Sequence, residues 1–360
     1  MNKSISTVKA DAAAISFSAL GHDVVWAVLD SGIDKKHPHF ADRQNLALPR
    51  ELKHQDFTGS NQPLVDDFGH GTHVAGIIAG RLHGREARAV SRHRDEMGKI
   101  VHAPVTVDRM SGMAPSCKLL SLKVLDGNGD GETSNLIGAL EYIQELNGNG
   151  RRLRVHGVNL SVGYGFEPEW FACGQSPLCA EVDRLVRSGV VVVVAAGNTG
   201  YGYNQTEYKG PTSAGLGVTI NDPGNADLAI TVGSTHRDSP HVYGVSYFSS
   251  KGPTGDGRDN PDIVAPGEKI LSCAAGSAKD KAAKKLDGPL PDYVEDSGTS
   301  MAAPHVSGAV AALLSVRREF IGQPERIKKI FVESATDLGR GREFQGAGLV
   351  DLMRALQQKI

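Results

Sequence analysis

Runs of apolar, mostly β-branched residues alternate along this chain with segments whose apolar positions recur at helical spacing. Residues 24–30 (VVWAVLD), 118–126 (KLLSLKVLD), 155–163 (VHGVNLSVG) and 190–198 (VVVVVAAGN) read as buried strands. Between them, residues 73–80 (HVAGIIAG), 134–146 (SNLIGALEYIQEL) and 180–188 (AEVDRLVRS) read as helices. Strands without polar alternation are covered on both faces. The order therefore predicts βαβ units: an α/β domain with a mainly parallel central sheet, helices on both faces and right-handed crossovers.

No internal repeat and no linker rich in Pro, Gly or Ser divides the sequence, so residues 1–360 read as one domain. Two segments interrupt the rhythm. Residues 81–112 are rich in Arg and His without a clear period, which predicts a surface insertion. Residues 274–296 contain Gly288-Pro289 and Leu290-Pro291 steps, which oppose helix, and predict an exposed loop beside the serine motif that follows.

A chain of 360 residues can bury a large core. Its 39 basic and 41 acidic residues leave a formal charge of -2, too small a field to hold nucleic acid or an anionic membrane surface. The longest uninterrupted apolar block, residues 190–196, falls well short of the roughly 18–20 residues of a membrane helix. We therefore expect no nucleic-acid and no membrane partner. The opening MNKSISTVKADAAA lacks the continuous apolar core of a secretory leader, which favours a cytoplasmic location; a secreted mature domain is the alternative. Cys117, Cys173, Cys179 and Cys273 are too few for a disulfide scaffold and are expected as thiols. A local Cys173–Cys179 bridge within CGQSPLC is the alternative.

Three polar residues stand where a parallel sheet presents functional groups. Asp30 ends the first strand, at the carboxyl edge where ligands collect in open α/β sheets. His70 lies between Gly69 and Gly71 at the start of a small-residue helical segment, and Ser300 lies in SGTSMAAPHVSG at the start of another. A hydroxyl is a poor nucleophile at neutral pH unless a base takes its proton. The base works best when a third group fixes its tautomer and stabilises its cation. Ser300, His70 and Asp30 fill those three roles. With Met301 as the first helical residue, Pro304 falls among the first four positions, whose N–H groups have no intrahelical partner. Ser300 then meets the positive end of a helix dipole, which favours a developing oxyanion. Asn198, at another strand end, offers a side-chain amide that forms a candidate oxyanion hole with the Ser300 N–H.

In order along the chain, DSGID, HGTHVAG, AAGN and GTSMAAPH resemble the signatures of subtilisin-like serine proteases, a similarity that extends from about Thr7 to GAGLVDLMRAL. The resemblance implies a three-layer α/β/α domain and a serine endopeptidase that works through an acyl-enzyme on polypeptide substrates. It implies a substrate main chain clamped by strand addition between Leu160, Ser161, Val162 and Gly163 on one side and Gly129, Asp130 and Gly131 on the other. It also implies that Ala195, Ala196 and Gly197 wall the primary specificity pocket, with Thr199 at its rim and Asn221 near its base. An uncharged pocket for medium or large apolar side chains follows. Asp130 reads first as a solvated loop carboxylate, and a preference for basic residues at outer substrate positions is the sharper alternative.

The aspartate that helps hold a tight calcium ion in secreted relatives aligns with His39. Their calcium loop after the catalytic-histidine helix gives way to residues 81–112. That site is expected to be absent, a weaker calcium site elsewhere staying open, and the chemistry requires no cofactor and no metal ligands.

Four rival readings compete with this one. Asp126, Asn128, Asp130 and Gly131 begin like an EF-hand loop, but position twelve is Ile137 where a bidentate Glu is needed. His70 and His73 are three apart on a helix, yet the H-E-x-x-H pattern is missing and His73 reads as a packed core histidine. An α/β-hydrolase keeps its serine in G-x-S-x-G and runs Ser, Asp, His; here the segment is Gly298-Thr299-Ser300-Met301-Ala302 and the order is Asp, His, Ser. A degenerate protease that only binds peptides is opposed by the complete triad and Asn198. The oligomeric state stays open.

Overall fold

All six residues of strand β1 (Val25–Asp30) are buried, as a strand covered on both faces requires. The computed structural model describes residues 2–97, 99–206, 210–286 and 289–358. The further strands are β2 (Gln55–Asp56), β3 (Arg81–Arg94), β4 (Ile100–Ser111), β5 (Lys118–Lys123), β6 (Gly157–Leu160), β7 (Val191–Ala195), β8 (Tyr201–Thr206), β9 (Gly210–Gly215), β10 (Ile230–His236), β11 (Ile263–Glu268), β12 (Ile270–Cys273) and β13 (Tyr293–Asp296). The helices are α1 (Asn2–Thr7), α2 (Ala10–Phe17), α3 (His70–Ile78), α4 (Thr133–Leu146), α5 (Pro177–Arg187), α6 (Pro240–Tyr243), α7 (Gly276–Leu286), α8 (Thr299–Val316), α9 (Pro324–Ser334), α10 (Arg342–Gln345) and α11 (Leu352–Gln357).

Seven strands form a sheet in the order β11-β10-β7-β6-β1-β5-β2, every neighbouring pair parallel. Alternation along β1 divides the core in two. Trp26 and Val28 pack with α3 and α8 on one face, whereas Val25, Ala27 and Leu29 pack with α4 and α5 on the other. This is the three-layer α/β/α arrangement expected of the sequence. Among the described residues α8 is the one helix long and apolar enough to cross a membrane, and most of it is buried inside the protein. Cys173 and Cys179 are free thiols, as are Cys117 and Cys273.

Both interrupting segments are more ordered than the sequence pattern suggests. Within residues 81–112, β3 and β4 form an antiparallel hairpin whose base, Leu82, Ala87, Ala89, Val90 and Met110, is buried. β3 also pairs in parallel with β13, so the hairpin extends a second sheet, β12-β13-β3-β4. A register shift between His83 and Ala87 moves the inward positions from even to odd numbers, which hides the two-residue period. Gly98 lies outside the described residues.

Residues 274–296 are not an exposed loop. They hold α7, with Ala282 and Ala283 buried, and then β13. Seven of the eight residues in AKDKAAKK are the strong helix formers Ala and Lys, and the prolines act beyond the helix end, as terminators, not within it. Asp287 and Gly288 lie outside the described residues.

Candidate active site

Strand β1 and helix α3 meet at Gly71. A Cβ there would stand 2.2 Å from the Gly32 carbonyl oxygen and 3.0 Å from Asp30 Cβ, so a glycine is what lets the helix start against the strand end. The preceding residue, His70, opens α3 and places Nδ1 2.8 Å from Asp30 Oδ1 and 3.0 Å from Oδ2. Asp30 is fully buried and also accepts the Ser31 N–H at 2.8 Å. Burial alone pushes the His70 imidazole down. The charge and hydrogen bond of Asp30, followed by the charges of Asp296 and Asp66, outweigh that penalty and raise it to about 9.

Asp66 is a residue the motif reading missed. It is buried and accepts four hydrogen bonds: Gly69 N at 2.7 Å, Thr72 N at 2.8 Å, Thr72 Oγ1 at 2.6 Å and Ser31 Oγ at 2.8 Å. Two of these donors are backbone N–H groups at the unpaired start of α3. Asp66 thus fixes the turn from which His70 projects. A carboxylate shortly before a helical run, in Asp66-Asp67-Phe68-Gly69-His70, is the capping signal that marks it. His73, one turn on, is buried with Nε2 3.1 Å from the Val294 carbonyl oxygen.

Ser300 stands in the first turn of α8, which begins at Thr299, two positions earlier than the sequence suggests. Pro304 is consequently inside the helix, and its missing N–H leaves the Ser300 carbonyl without its intrahelical donor. Ser161 Oγ fills that place at 2.9 Å. Asn159 Nδ2 donates to Ser161 Oγ at 2.8 Å, and Ser307 Oγ donates to Asn159 Oδ1 at 2.8 Å, so β6 and α8 are joined by a buried polar chain. The Ser300 hydroxyl itself donates to the Ser161 carbonyl at 2.9 Å. Asn198 follows β7, and its Oδ1 accepts Thr299 N at 2.9 Å and Thr299 Oγ1 at 3.1 Å. With its oxygen held there, the Asn198 amide nitrogen is oriented as a donor toward the cleft.

The cleft has a volume of about 510 Å³. It is lined by His70, Ser300, Asn198 and Thr299, by Gly129, Asp130 and Gly131, by Ser161, Val162 and Gly163, and by Ala195, Gly197, Thr199 and Asn221. Thr199 Oγ1 donates to Asn221 Oδ1 at 3.0 Å, which ties two residues of the cleft wall together. Leu160 and Ala196 do not reach the cleft; both are fully buried behind its walls. Phe68, Leu125, Thr133, Leu136 and Tyr164 also line it and carry no motif signal of their own. The glycine loop is closed internally: the Asp126 carboxylate accepts Asn128 N at 2.8 Å and Asp130 N at 3.0 Å. Among the described residues no group of three or more His, Cys, Asp or Glu is placed to hold a metal ion.

The subtilase family model matches residues 21–349. The chain is 30% identical over 354 residues to subtilisin E of Bacillus subtilis, covering 98% of this chain and 70% of that protein. It is 30% identical over 315 residues to the major intracellular serine protease of the same organism, with 87% and 75% covered. Pyrolysin of Pyrococcus furiosus is 32% identical over 329 residues, which span 81% of this chain but 21% of pyrolysin.

Proposed function

The chain belongs to the subtilase family of serine proteases, and on that premise we propose how its own residues divide the hydrolysis of a peptide bond. The observation that carries the reading is the 2.8 Å contact of His70 Nδ1 with the buried Asp30, beside a helix start that presents Ser300. Ser300 Oγ turns from the Ser161 carbonyl, gives its proton to His70 and bonds to the scissile carbonyl carbon. The carbonyl π pair becomes an oxyanion held by the Asn198 amide and the Ser300 N–H. His70 then passes the proton to the leaving amine nitrogen as the C–N bond breaks. Water attacks the acyl-enzyme with His70 again as base, and Ser300 regains its proton.

The substrates are polypeptides. Their main chain lies between Ser161–Gly163 and Gly129–Gly131, and the side chain before the cut bond enters the pocket of Ala195, Gly197, Thr199 and Asn221. The absence of charge from those four walls supports a preference for apolar side chains there. Asp130 is exposed at the outer clamp, where it supports attraction of basic residues further along the substrate.

The reaction needs no metal. A tight calcium ion at the family's site does not fit the residues present: His39 is fully buried, and its ring nitrogens already meet Tyr293 Oη at 3.1 Å and the Gly76 carbonyl at 3.3 Å. Covalent labelling by a fluorophosphonate, with mass spectrometry of cleaved peptides, tests the whole reading. Labelling is expected for the wild type alone; equal labelling of Ser300→Ala overturns the assignment.

A further inference from the structure

Three large aromatic side chains stand in solvent beside the substrate cleft: Tyr201 is 48% exposed, Tyr203 78% and Tyr247 66%. Two of them come from the β8–β9 hairpin, which leaves the cleft wall directly, since Tyr201 follows closely on the cleft residues Asn198 and Thr199. At no more than about 3.6 Å per residue, the Tyr201 Cα lies within about 11 Å of that of Asn198 and the Tyr203 Cα within about 18 Å. Tyr201 and Tyr203 alternate along one strand and so share a face of the hairpin. The positions opposite them on β9 are Gly215 and Ser213, too small to cover a ring.

The third ring is fastened to the same wall. Ser250 N donates to the Gly197 carbonyl at 2.9 Å and Thr199 N to Ser250 Oγ at 3.2 Å, so the segment that carries Tyr247 is tied to residues that line the cleft. At the hairpin root, Gly200 N donates to the Phe248 carbonyl at 3.0 Å, and a Cβ on Gly200 would stand 1.9 Å from the Ser249 carbonyl oxygen. The buried Lys251 donates from Nζ to the carbonyls of Gly200 at 2.7 Å and Tyr247 at 3.2 Å. These contacts set Tyr247 edge-on to Tyr201, with ring centroids 5.6 Å apart and planes at 89°. Aromatic rings grouped in this way and left in water have the composition of a contact surface.

We propose that Tyr201, Tyr203 and Tyr247 form an outlying contact surface for the polypeptide substrate, one that takes apolar side chains lying beyond the clamp and the specificity pocket. The inference rests on the serine-protease reading and follows from continuity: the surface begins where the cleft wall of Gly197, Asn198 and Thr199 ends. An extended substrate advances about 3.3 Å per residue, so the rings fall within about three to five residues of the cut bond. Contacts that far from the reacting atoms are the same in the ground state and the transition state, so they lower KM and leave kcat unchanged.

The test compares a tetrapeptide anilide, confined to the clamp and the pocket, with internally quenched peptides that carry about five more residues on one side of the cut bond or on the other. Each extension is made in an apolar form, rich in Leu and Phe, and in a Gly/Ser form. For the wild type, the apolar form is expected to exceed the Gly/Ser form by about 10-fold in kcat/KM on one of the two sides, through KM. The ratio should persist in about 1 M salt, because no charge carries it. Tyr201→Ala/Tyr203→Ala/Tyr247→Ala is expected to bring it near one, and Tyr201→Phe/Tyr203→Phe/Tyr247→Phe to keep it. Each ratio is internal to one variant, so partial loss of folded protein does not alter it. A wild-type ratio near one on both sides, or a ratio that survives the alanine changes, overturns the surface. So does a wild-type dimer, seen by sedimentation, that the alanine variant dissolves, since it gives the rings to a second copy of the chain. No wild-type cleavage of the anilide overturns the protease reading beneath it.

Discussion

Ser161 and Ser300 are tied by two reciprocal hydrogen bonds: Ser161 Oγ donates to the Ser300 carbonyl at 2.9 Å, and Ser300 Oγ donates to the Ser161 carbonyl at 2.9 Å. One of these bonds is structural and the other is broken by catalysis. The Ser161 hydroxyl replaces the helix donor that Pro304 removes. The Ser300 hydroxyl must leave the Ser161 carbonyl before His70 takes its proton.

Removing the Ser161 hydroxyl exposes that dependence. Ser161→Ala leaves the Ser300 carbonyl and Asn159 Nδ2 without partners in a buried setting, for a loss of about 1–3 kcal/mol of stability. Pro304→Ala restores an N–H at the position that normally serves that carbonyl. In its presence, Ser161→Ala should cost about 1 kcal/mol less, as read from urea unfolding of the four-member cycle. Strict additivity of the two substitutions contradicts the proposed exchange of donors.

Catalytic losses should be graded by role. Ser300→Ala and His70→Ala remove the nucleophile and the base and should each lower kcat by about 10⁶-fold. Asp30→Asn keeps the shape but favours the wrong imidazole tautomer, for about 10⁴-fold. Asn198→Ala removes one oxyanion donor and should cost about 10²–10³-fold with KM little changed. Steady-state kinetics on one peptide anilide compares all four, and a residual activity of Ser300→Ala near wild type refutes the nucleophile.

The sheet, its flanking helices and the cleft that gathers His70, Asn198 and Ser300, with Asp30 behind His70, are legible in the sequence because each rests on a local signal: an unbroken β-branched run, or a polar residue beside glycine at its end. What was illegible depends on tertiary partners. Ala87 and Ala89 are inward-facing in a hairpin whose period is broken by a register shift, and that hairpin is held by β13, just over 200 residues away in sequence. α7 was masked by prolines that follow it. The start of α8 lies two residues before the position that Pro304 alone suggests, because Ser161, just after β6, supplies the missing donor.

Asp66 is expected to matter as a positioning residue. Asp66→Asn turns one acceptor into a donor facing Gly69 N, Thr72 N, Thr72 Oγ1 and Ser31 Oγ, so at least one N–H loses its partner, costing about 1–3 kcal/mol. It also removes a negative charge that helps to raise the His70 imidazole. A purely structural role changes only the unfolding midpoint. The positioning role adds a lower apparent pKa in the kcat/KM profile, and an unchanged profile rules it out.

The pH dependence of activity should follow the same pair. His70 accepts a proton only when neutral, so activity rises with pH, and its midpoint should lie above the ordinary 6.5, toward about 9. In Asp30→Asn the largest raising influence is gone and the midpoint should fall. A wild-type midpoint at or below 6.5 in a kcat/KM profile contradicts the charge arrangement around His70.

Stability should fall away on both sides of neutrality, for opposite reasons. The raised His70 contributes stability that is complete below its unfolded value of 6.5 and is lost as pH climbs through about 9. His39, His73 and His305 behave in the reverse sense. Burial lowers them to about 3, 4 and 3, so below pH 6.5 the unfolded chain takes up protons that the folded chain refuses. The unfolded imidazole is half protonated at pH 6.5 and almost fully so at 5.5, so each such group tilts the balance by about 1 kcal/mol over that unit and the three together by about 3 kcal/mol, before most carboxylates titrate. Urea unfolding of Ser300→Ala, which avoids self-digestion, measures this slope. His305→Gln should reduce the change over that unit by about 1 kcal/mol, since His305 is buried against the Met301 carbonyl at 2.8 Å and Ser4 Oγ at 2.8 Å. A flat stability between pH 6.5 and 5.5 means that these imidazoles are not buried as neutral groups.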